Sequence, residues 1–328
     1  MKSFAFFAVV IVCACAAQLA SAETIRAYHI GNSLTDNIHY GGVRKLAEYE
    51  GDVYKYGKQS SPGTSLDLAW QYKSKTGTIY SQGPYGKYKD ALKNYTWDVL
   101  TLEPFENKIA GTTGDLQMSK NFINYALPKS PNVQTYIYER WPRRPVDANG
   151  KFLPFDYAKL YTKPYAASTD RYNLINETRG YFESLTKQIN SAMPNLKKKV
   201  KIVPVGDVLL ELDKRIKANQ ITGIDNITDL YADAIHFNNT GAYVLGLTFY
   251  ATMFKQSPMA GGPTPGSYGG TTEIPNKLAS QLQDTVWDIV KVHPYAGVKS
   301  TLVTVELPEP SALGALLVIP LLARRRAR

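Results

Sequence analysis

Short runs of β-branched, aromatic and aliphatic residues recur along the chain at 25–30, 53–56, 97–102, 133–138 and 200–205. Their length is that of buried strands, and turn-forming residues bound them. Between them, apolar positions repeat at helical spacing over 42–50, 66–73, 119–126 and 181–193. Strand and helix patterns therefore alternate, and this predicts a parallel sheet with helices on both faces, joined by right-handed crossovers. A three-layer α/β/α sandwich is the expected architecture. No internal repeat is visible.

Two stretches break the rhythm. Residues 141–176, beginning WPRRPVDANGKFLPFDYAKLYTKPY, are long, aromatic and proline-bearing. They follow the fourth strand and so are placed over the crevice end of the sheet, as a candidate lid or as a packed surface excursion. Residues 257–273, SPMAGGPTPGSYGGTTE, read as a Gly/Pro linker. One more amphipathic helix is predicted over 278–292, with Trp287 and Val290 facing inward.

The two ends carry patterns of their own. Lys2, the apolar run FAFFAVVIVCACAA and the small residues closing at Ala22 have the form of a secretory signal over 1–22. Both cysteines, Cys13 and Cys15, fall inside it, so the mature chain is expected to hold neither disulfide, thiolate metal site nor cysteine nucleophile. At the other end, Pro308-Glu309-Pro310 precedes an apolar run from Ala312 to Ala323 and then Arg324, Arg325, Arg326 and Arg328. That run falls short of the ~20 residues of a full span. In their order the three parts resemble a PEP-CTERM sorting signal, which implies cleavage by an exosortase-like enzyme after a transient membrane anchorage. A plain tail anchor is the alternative. The expected organisation is a signal at 1–22, a catalytic domain at 23–300, and a linker with sorting tail at 301–328. An exported bacterial protein is expected: periplasmic, cell-surface or extracellular.

Composition alters this picture little. With 44% hydrophobic and 20% charged residues among 328, the balance is that of a globular protein with a sizeable core. The formal charge is +10, and Lys2 with the four tail arginines accounts for half of it. The densest basic run, NLKKKVK at 195–201, lies at a helix-to-strand turn, and no basic stripe with nucleic-acid spacing exists. Nucleic acid is therefore not an expected partner, and a monomer is expected.

The candidate chemistry begins where the first strand ends. In TIRAYHIGNSLTD, Ser33 follows a strand and opens a helix, a place where α/β proteins keep reactive groups. It suits either a nucleophile or a helix N-cap. A serine nucleophile needs a base, and there are only four histidines. His29 lies on the first strand, buried and bonded to backbone. His39 falls in the helix-entry region, and His293 suits a cap at the end of the last helix. His236 stands in LYADAIHFNNTGAYVLGLTFY, three residues after Asp233. At that spacing the carboxylate can turn back to the imidazole and leave its second nitrogen for a serine. Asn238 or Asn239 can then cap the apolar helix that follows.

GNSLTD near the start and DAIHFN late in the chain resemble the first and last blocks of the SGNH (GDSL-like) hydrolases, over about residues 25–255. The resemblance implies a flavodoxin-like, five-stranded parallel sheet, with Ser33 as nucleophile, Asp233 as orienting acid and His236 as base. It also implies an oxyanion hole from the N–H of Ser33, the N–H of a glycine and an asparagine amide. Gly63, in QSSPGTSL, fits the glycine, with an ordinary Pro-Gly turn as its rival reading. Asn107 falls at the asparagine, but Phe105 stands where the family has glycine in Gly-x-Asn. Asn107 donates there, or Glu103 and Phe105 line the pocket instead. Asn32 and Trp141 complete the candidate substrate pocket. No metal or organic cofactor is implied.

The implied activity is ester hydrolysis through an acyl-enzyme. The 23 tyrosines and the aromatic insertion suit sugar faces, and the export pattern points to matrix polysaccharide, so carbohydrate O-deacetylation is the expected reaction. A lipase or other carboxylesterase, an O-acyltransferase on the same triad, and a non-catalytic glycan-binding surface protein stay open as alternatives.

Overall fold

The first strand, β1 (Thr24–Gly31), is exposed on alternate residues only at its start and is buried from Ala27 onward, as befits a strand covered on both faces. The computed structural model describes residues 22–74, 77, 79–166, 178–258 and 274–298. The expected signal up to residue 21, the expected sorting tail and most of the expected Gly/Pro linker lie outside the described residues. β1 pairs in parallel with β2 (Val53–Ser60) on one side and β4 (Val99–Leu102) on the other. β5 (Gln134–Glu139) and β6 (Lys201–Pro204) extend the sheet beyond β4. The five parallel strands thus run β2-β1-β4-β5-β6, the flavodoxin-like order expected. A sixth, β3 (Tyr80–Gln82), adds antiparallel to the outer edge of β2. With three residues it is too short to carry a period of two, and the sequence pattern did not predict it.

Ten helices are described: α1 (Ser33–Asp36), α2 (Tyr40–Tyr49), α3 (Leu66–Trp70), α4 (Tyr88–Asn94), α5 (Asp115–Ala126), α6 (Tyr157–Tyr161), α7 (Arg179–Ala192), α8 (Val205–Lys217), α9 (Asn239–Phe254) and α10 (Asn276–Val290). Successive strand residues point to opposite faces, so the core divides in two. Ile25, Ala27, Val99, Tyr136, Tyr138 and Val203 pack with α2, α8, α9 and α10. Tyr28, Ile30, Leu100, Leu102, Ile137 and Ile202 pack with α3, α4, α5 and α7. Helix α9 is buried without a break from Gly241 to Phe254, because α2 and α10 flank it above the sheet. Its composition, apolar on every side but for Thr248 and Thr252, is what such a position requires. In α10, Val290 is fully buried and Trp287 half-buried.

Strand β2 runs four residues beyond its apolar pattern. Its polar end is buried all the same. Gln59 accepts from the Tyr88 N–H and donates to the Ala69 carbonyl, and Ser60 donates to Asp36. The hydrophobic signal stops at Tyr56 because the strand goes on to cap helices. Within the insertion, Trp141, Tyr157 and Tyr161 are fully buried in the main core, and residues 167–177 lie outside the described residues.

The strand order reverses at β1, which leaves a crevice beyond the C-terminal ends of β1 and β4. Ser33 follows one of these ends and Glu103 the other.

Candidate active site

Ser33 is the first residue of α1 and is half-buried. Asn32, in extended conformation, caps the helix by accepting the Leu34 N–H on Oδ1 at 2.9 Å. The cap role that sequence offered to Ser33 is thus taken by its neighbour, and the serine hydroxyl is left for other partners. The turn is held from beneath by Glu103. Its Oε2 accepts the N–H groups of Asn32 and Thr35, each at 3.0 Å, and the Thr35 hydroxyl at 2.6 Å. Gly31 makes room for this: a Cβ there would overlap both Thr35 Oγ1 and the Glu103 carboxylate.

The Gly63 loop leans on the same turn. Asn32 Nδ2 donates to the Thr64 carbonyl at 3.3 Å, and the Ser61 N–H to the Gly31 carbonyl at 3.3 Å. Gly63 has φ of +61°, a backbone conformation that favours glycine. As the first helical residue Ser33 has no intrahelical acceptor for its N–H. Neither it nor the Gly63 N–H makes a hydrogen bond among the described residues.

His236 comes from the loop between a 3-10 turn at Ile227–Leu230 and α9. The loop closes on itself through the Tyr231–Phe237 bridge and the bond from the Ala232 N–H to the His236 carbonyl. Asp233 Oδ1 accepts the N–H groups of Ile235 and His236, both at 2.7 Å. Its Oδ2 meets His236 Nδ1 at 2.7 Å, and His236 Nε2 meets Ser33 Oγ at 2.8 Å. An ionised Asp233 only accepts, which puts the imidazole proton on Nδ1 and the Nε2 lone pair toward the serine. Partial burial pushes the Asp233 carboxyl up. The Ile235 and His236 N–H groups and the imidazole outweigh that and hold it below the usual carboxylate range. Asn238 caps α9 by accepting the N–H groups of Thr240 and Gly241, as the sequence led one to expect.

Two side chains that spacing did not reveal fix this loop against the serine. Asn37, at the C-cap of α1, pairs with the Phe237 peptide, accepting its N–H at 2.7 Å and donating to its carbonyl at 3.3 Å. Trp141 donates from Nε1 to the Ile235 carbonyl at 2.8 Å and stacks on Phe237 with ring centres 3.9 Å apart. Asn37 lies four residues after Ser33, and nothing in a single sequence distinguishes it from an ordinary helix end. Asn37→Ala is expected to lower ester turnover roughly 10–100-fold, since small misplacements of a reacting group cost on that order. Steady-state kinetics beside a thermal melt checks this, and kcat equal to wild type would remove the clasp from the machinery.

The expectation that Asn32, Glu103, Phe105 and Trp141 line a pocket is corrected. Asn32, Glu103 and Trp141 are fully buried, and Phe105 is nearly so beneath the Arg140 guanidinium, 4.5 Å away. They build the frame of the site and offer it no open surface. Asn107 is buried in its own loop, where Nδ2 donates to the Thr113 carbonyl at 2.7 Å and Oδ1 accepts the Lys108 N–H. Glu106, at φ of +45°, pairs with Arg143 at 3.0 Å. His29 is buried as expected, but its partners are the hydroxyls of Thr101 and Tyr54 at 2.7 Å rather than backbone. Burial lowers it to about 3, so it is neutral. His293 meets Asp207 at 3.2 Å beyond the end of α10. His39 is the N-cap residue of α2, at φ of +53°.

Burial pushes the Glu103 carboxyl up to about 7, against the Thr35 hydroxyl, the Asn32 and Thr35 N–H groups and the Arg140 charge. Its proton is held more tightly folded than unfolded, where it has its ordinary value of 4.5. The resulting stability is complete below about 4.5 and is lost as pH rises through about 7. At 1.36 kcal/mol per unit it amounts to roughly 3 kcal/mol. Thermal melts of wild type and Glu103→Gln across pH 4.5–7.5 are expected to diverge, with the decline toward neutral pH smaller in the variant. Parallel curves would place the ionisation elsewhere.

No protein-family model matches the chain, and no curated protein matches it. Among solved structures there are similar chains. A DUF4886 family protein from Bacteroides uniformis is similar with 17% identity and a TM-score of 0.52, covering 82% of this chain and 95% of that one. A family 3 carbohydrate esterase of Clostridium thermocellum is similar with 14% identity and a TM-score of 0.39, over 69% of this chain and 94% of that one. The likeness to the first, at 17% identity, is one of fold.

Proposed function

We propose that the protein is an exported serine ester hydrolase of SGNH type that removes O-acyl groups, acetyl foremost, from carbohydrate. The observation that carries the chemistry is the continuous hydrogen-bonded chain from Asp233 through His236 to Ser33. In this reading His236 Nε2 takes the Ser33 proton as Oγ attacks the ester carbonyl. The Ser33 and Gly63 N–H groups receive the oxyanion. The leaving alcohol takes the proton back from His236, and an acyl-serine remains. Water, deprotonated by the same nitrogen, then releases the acid. Asp233 stays ionised throughout and steadies the imidazolium. Asn107 is buried and engaged within its own loop, donating to the Thr113 carbonyl and accepting the Lys108 N–H, and the reading adopted is a hole with two backbone donors. One such donor is worth ~10²–10³ in rate.

Carbohydrate is favoured by the exposed Phe152 ring of the insertion, whose segment bonds to the histidine loop through the Arg144 N–H and the Ala234 carbonyl, and by the sequence signs of export. The full-length protein, assayed on short-chain nitrophenyl esters and on acetylated oligosaccharides, should hydrolyse both. A fluorophosphonate probe should label Ser33. Absence of both labelling and hydrolysis would leave a glycan-binding surface protein.

Export and tail processing belong to the same reading. The protein recovered outside the cell is expected to end near Pro310 and to lack Arg324–Arg328. Intact-mass spectrometry decides this, and an Arg328 terminus would make the tail a plain anchor.

A further inference from the structure

Arg144 stands apart among the described arginines. Arg26, Arg44, Arg143, Arg179 and Arg215 each have a carboxylate within ion-pair distance, and Arg140 lies close enough to Glu103 to lower its proton affinity. Arg144 has no ion pair or side-chain hydrogen bond among the described residues; its Nε, like those of Arg140 and Arg143, is buried without an acceptor, so it is the outer Nη edge of its guanidinium that is left to face a ligand. The carboxylates of its neighbourhood are engaged. Asp147 turns back onto the N–H groups of Asn149 and Lys151, Glu106 is held by Arg143, and Asp233 by the histidine loop.

The guanidinium is nonetheless held in place. Its carbon lies 3.7 Å from the Phe152 ring centre and 6.0 Å from that of Tyr231. Phe152 reaches it through a small hairpin, closed by the Val146–Phe152 bridge and by the bond from the Leu153 N–H to the Pro145 carbonyl. Phe152 is 41% exposed, so it serves as a platform at the surface and not as core. The Arg144 N–H donates to the Ala234 carbonyl at 2.8 Å, two residues from His236. A half-buried cation, stacked in advance and short of an acceptor, therefore sits on the wall of the loop that carries the candidate base.

We infer that Arg144, backed by Phe152, binds a carboxylate of the substrate, so that the acylated carbohydrate is an acidic one bearing uronic-acid residues. This deepens the ester-hydrolase reading and rests on it for the acyl group alone. A planar guanidinium fork matches a carboxylate in two parallel N–H···O bonds, and stacking spares it the cost of being ordered on binding. A single fork suits the single charge of a uronate better than a polyanion. On a glycan chain, such a charge is carried by the sugar ring and leaves the ring hydroxyls free to bear the ester.

The test is calorimetric binding of a galacturonic acid oligosaccharide and of its carboxyl-reduced counterpart to the full-length protein at fixed ionic strength. Wild type should bind the acidic ligand about tenfold tighter than the reduced one, and Arg144→Gln should lose most of that difference. Arg144→Lys, which keeps the charge but not the fork or the stack, should recover only part of it. If Arg144→Gln fails to fold, Arg144→Lys and Phe152→Leu decide, each expected to narrow the difference. Equal binding of the two ligands by wild type, no binding of either, or a difference undiminished in the variants overturns the inference. The readout needs no turnover. An inactive protein with the tenfold difference would lose the esterase reading and keep this one, and an active protein without it would do the reverse.

Discussion

Ser33→Ala is expected to reduce ester hydrolysis on the order of 10⁴–10⁶-fold, the loss typical of removing the nucleophile from a serine–histidine–carboxylate set. The fold should be unaffected, because the turn does not depend on the hydroxyl. Asn32 caps α1, and the three bonds to Glu103 come from Asn32 and Thr35. What alanine removes is the single contact to His236 Nε2. Its cost in stability should be small, since the half-buried nitrogen can turn to water. The check is a progress curve on a short-chain ester beside a near-ultraviolet spectrum and a thermal melt. Activity within tenfold of wild type, from a folded variant, would sink the assignment of Ser33. Fluorophosphonate labelling lost together with activity would tie the two to one atom.

The strands were legible because most of their residues are buried on both faces, which leaves runs rich in apolar and β-branched residues at β1, β4, β5 and β6. The pattern was silent at Gln59 and Ser60, where a buried strand end is polar because it serves helices α3 and α4 and the residue Asp36. The hydrogen-bonded chain from Asp233 to Ser33 was legible for a different reason. Asp-x-x-His is a local device, since Asp233 and His236 meet within one loop, and Ser33 is marked by the strand end before it. Residues that join distant segments left no such trace. Asn37 meets Phe237 across 200 positions, and Trp141 meets Ile235 across 94. Trp141 drew notice as an aromatic near the crevice, which suggested a surface for substrate. Its indole is instead consumed by the loop it holds. Glu103 likewise looked like a pocket carboxylate. Only the fold shows that it lies beneath the serine turn, admitted by the missing side chain of Gly31.

Loss of the imidazole should be nearly as damaging as loss of the serine. His236→Ala removes the group that takes and returns the proton, while the loop keeps its other supports: the Asn37 clasp, the Trp141 bond and the Asn238 cap. A loss on the order of 10⁴–10⁶-fold is expected, and Ser33→Ala combined with His236→Ala should be no worse than either alone, because the pair acts as a unit. Asp233→Asn should be milder by about tenfold or more. Its amide oxygen can still receive the Ile235 and His236 N–H groups, so the loop keeps its shape. Its NH₂ then faces Nδ1, which must become the acceptor, and the proton moves to Nε2, where it blocks the transfer from Ser33. The other histidines are the controls. His29 is sealed between Thr101 and Tyr54 and kept neutral by burial, and His293 is engaged with Asp207. If His39→Ala or His293→Ala abolished hydrolysis while His236→Ala left it within tenfold of wild type, the base would lie elsewhere. The 2.8 Å contact to Ser33 would then be only a structural hydrogen bond.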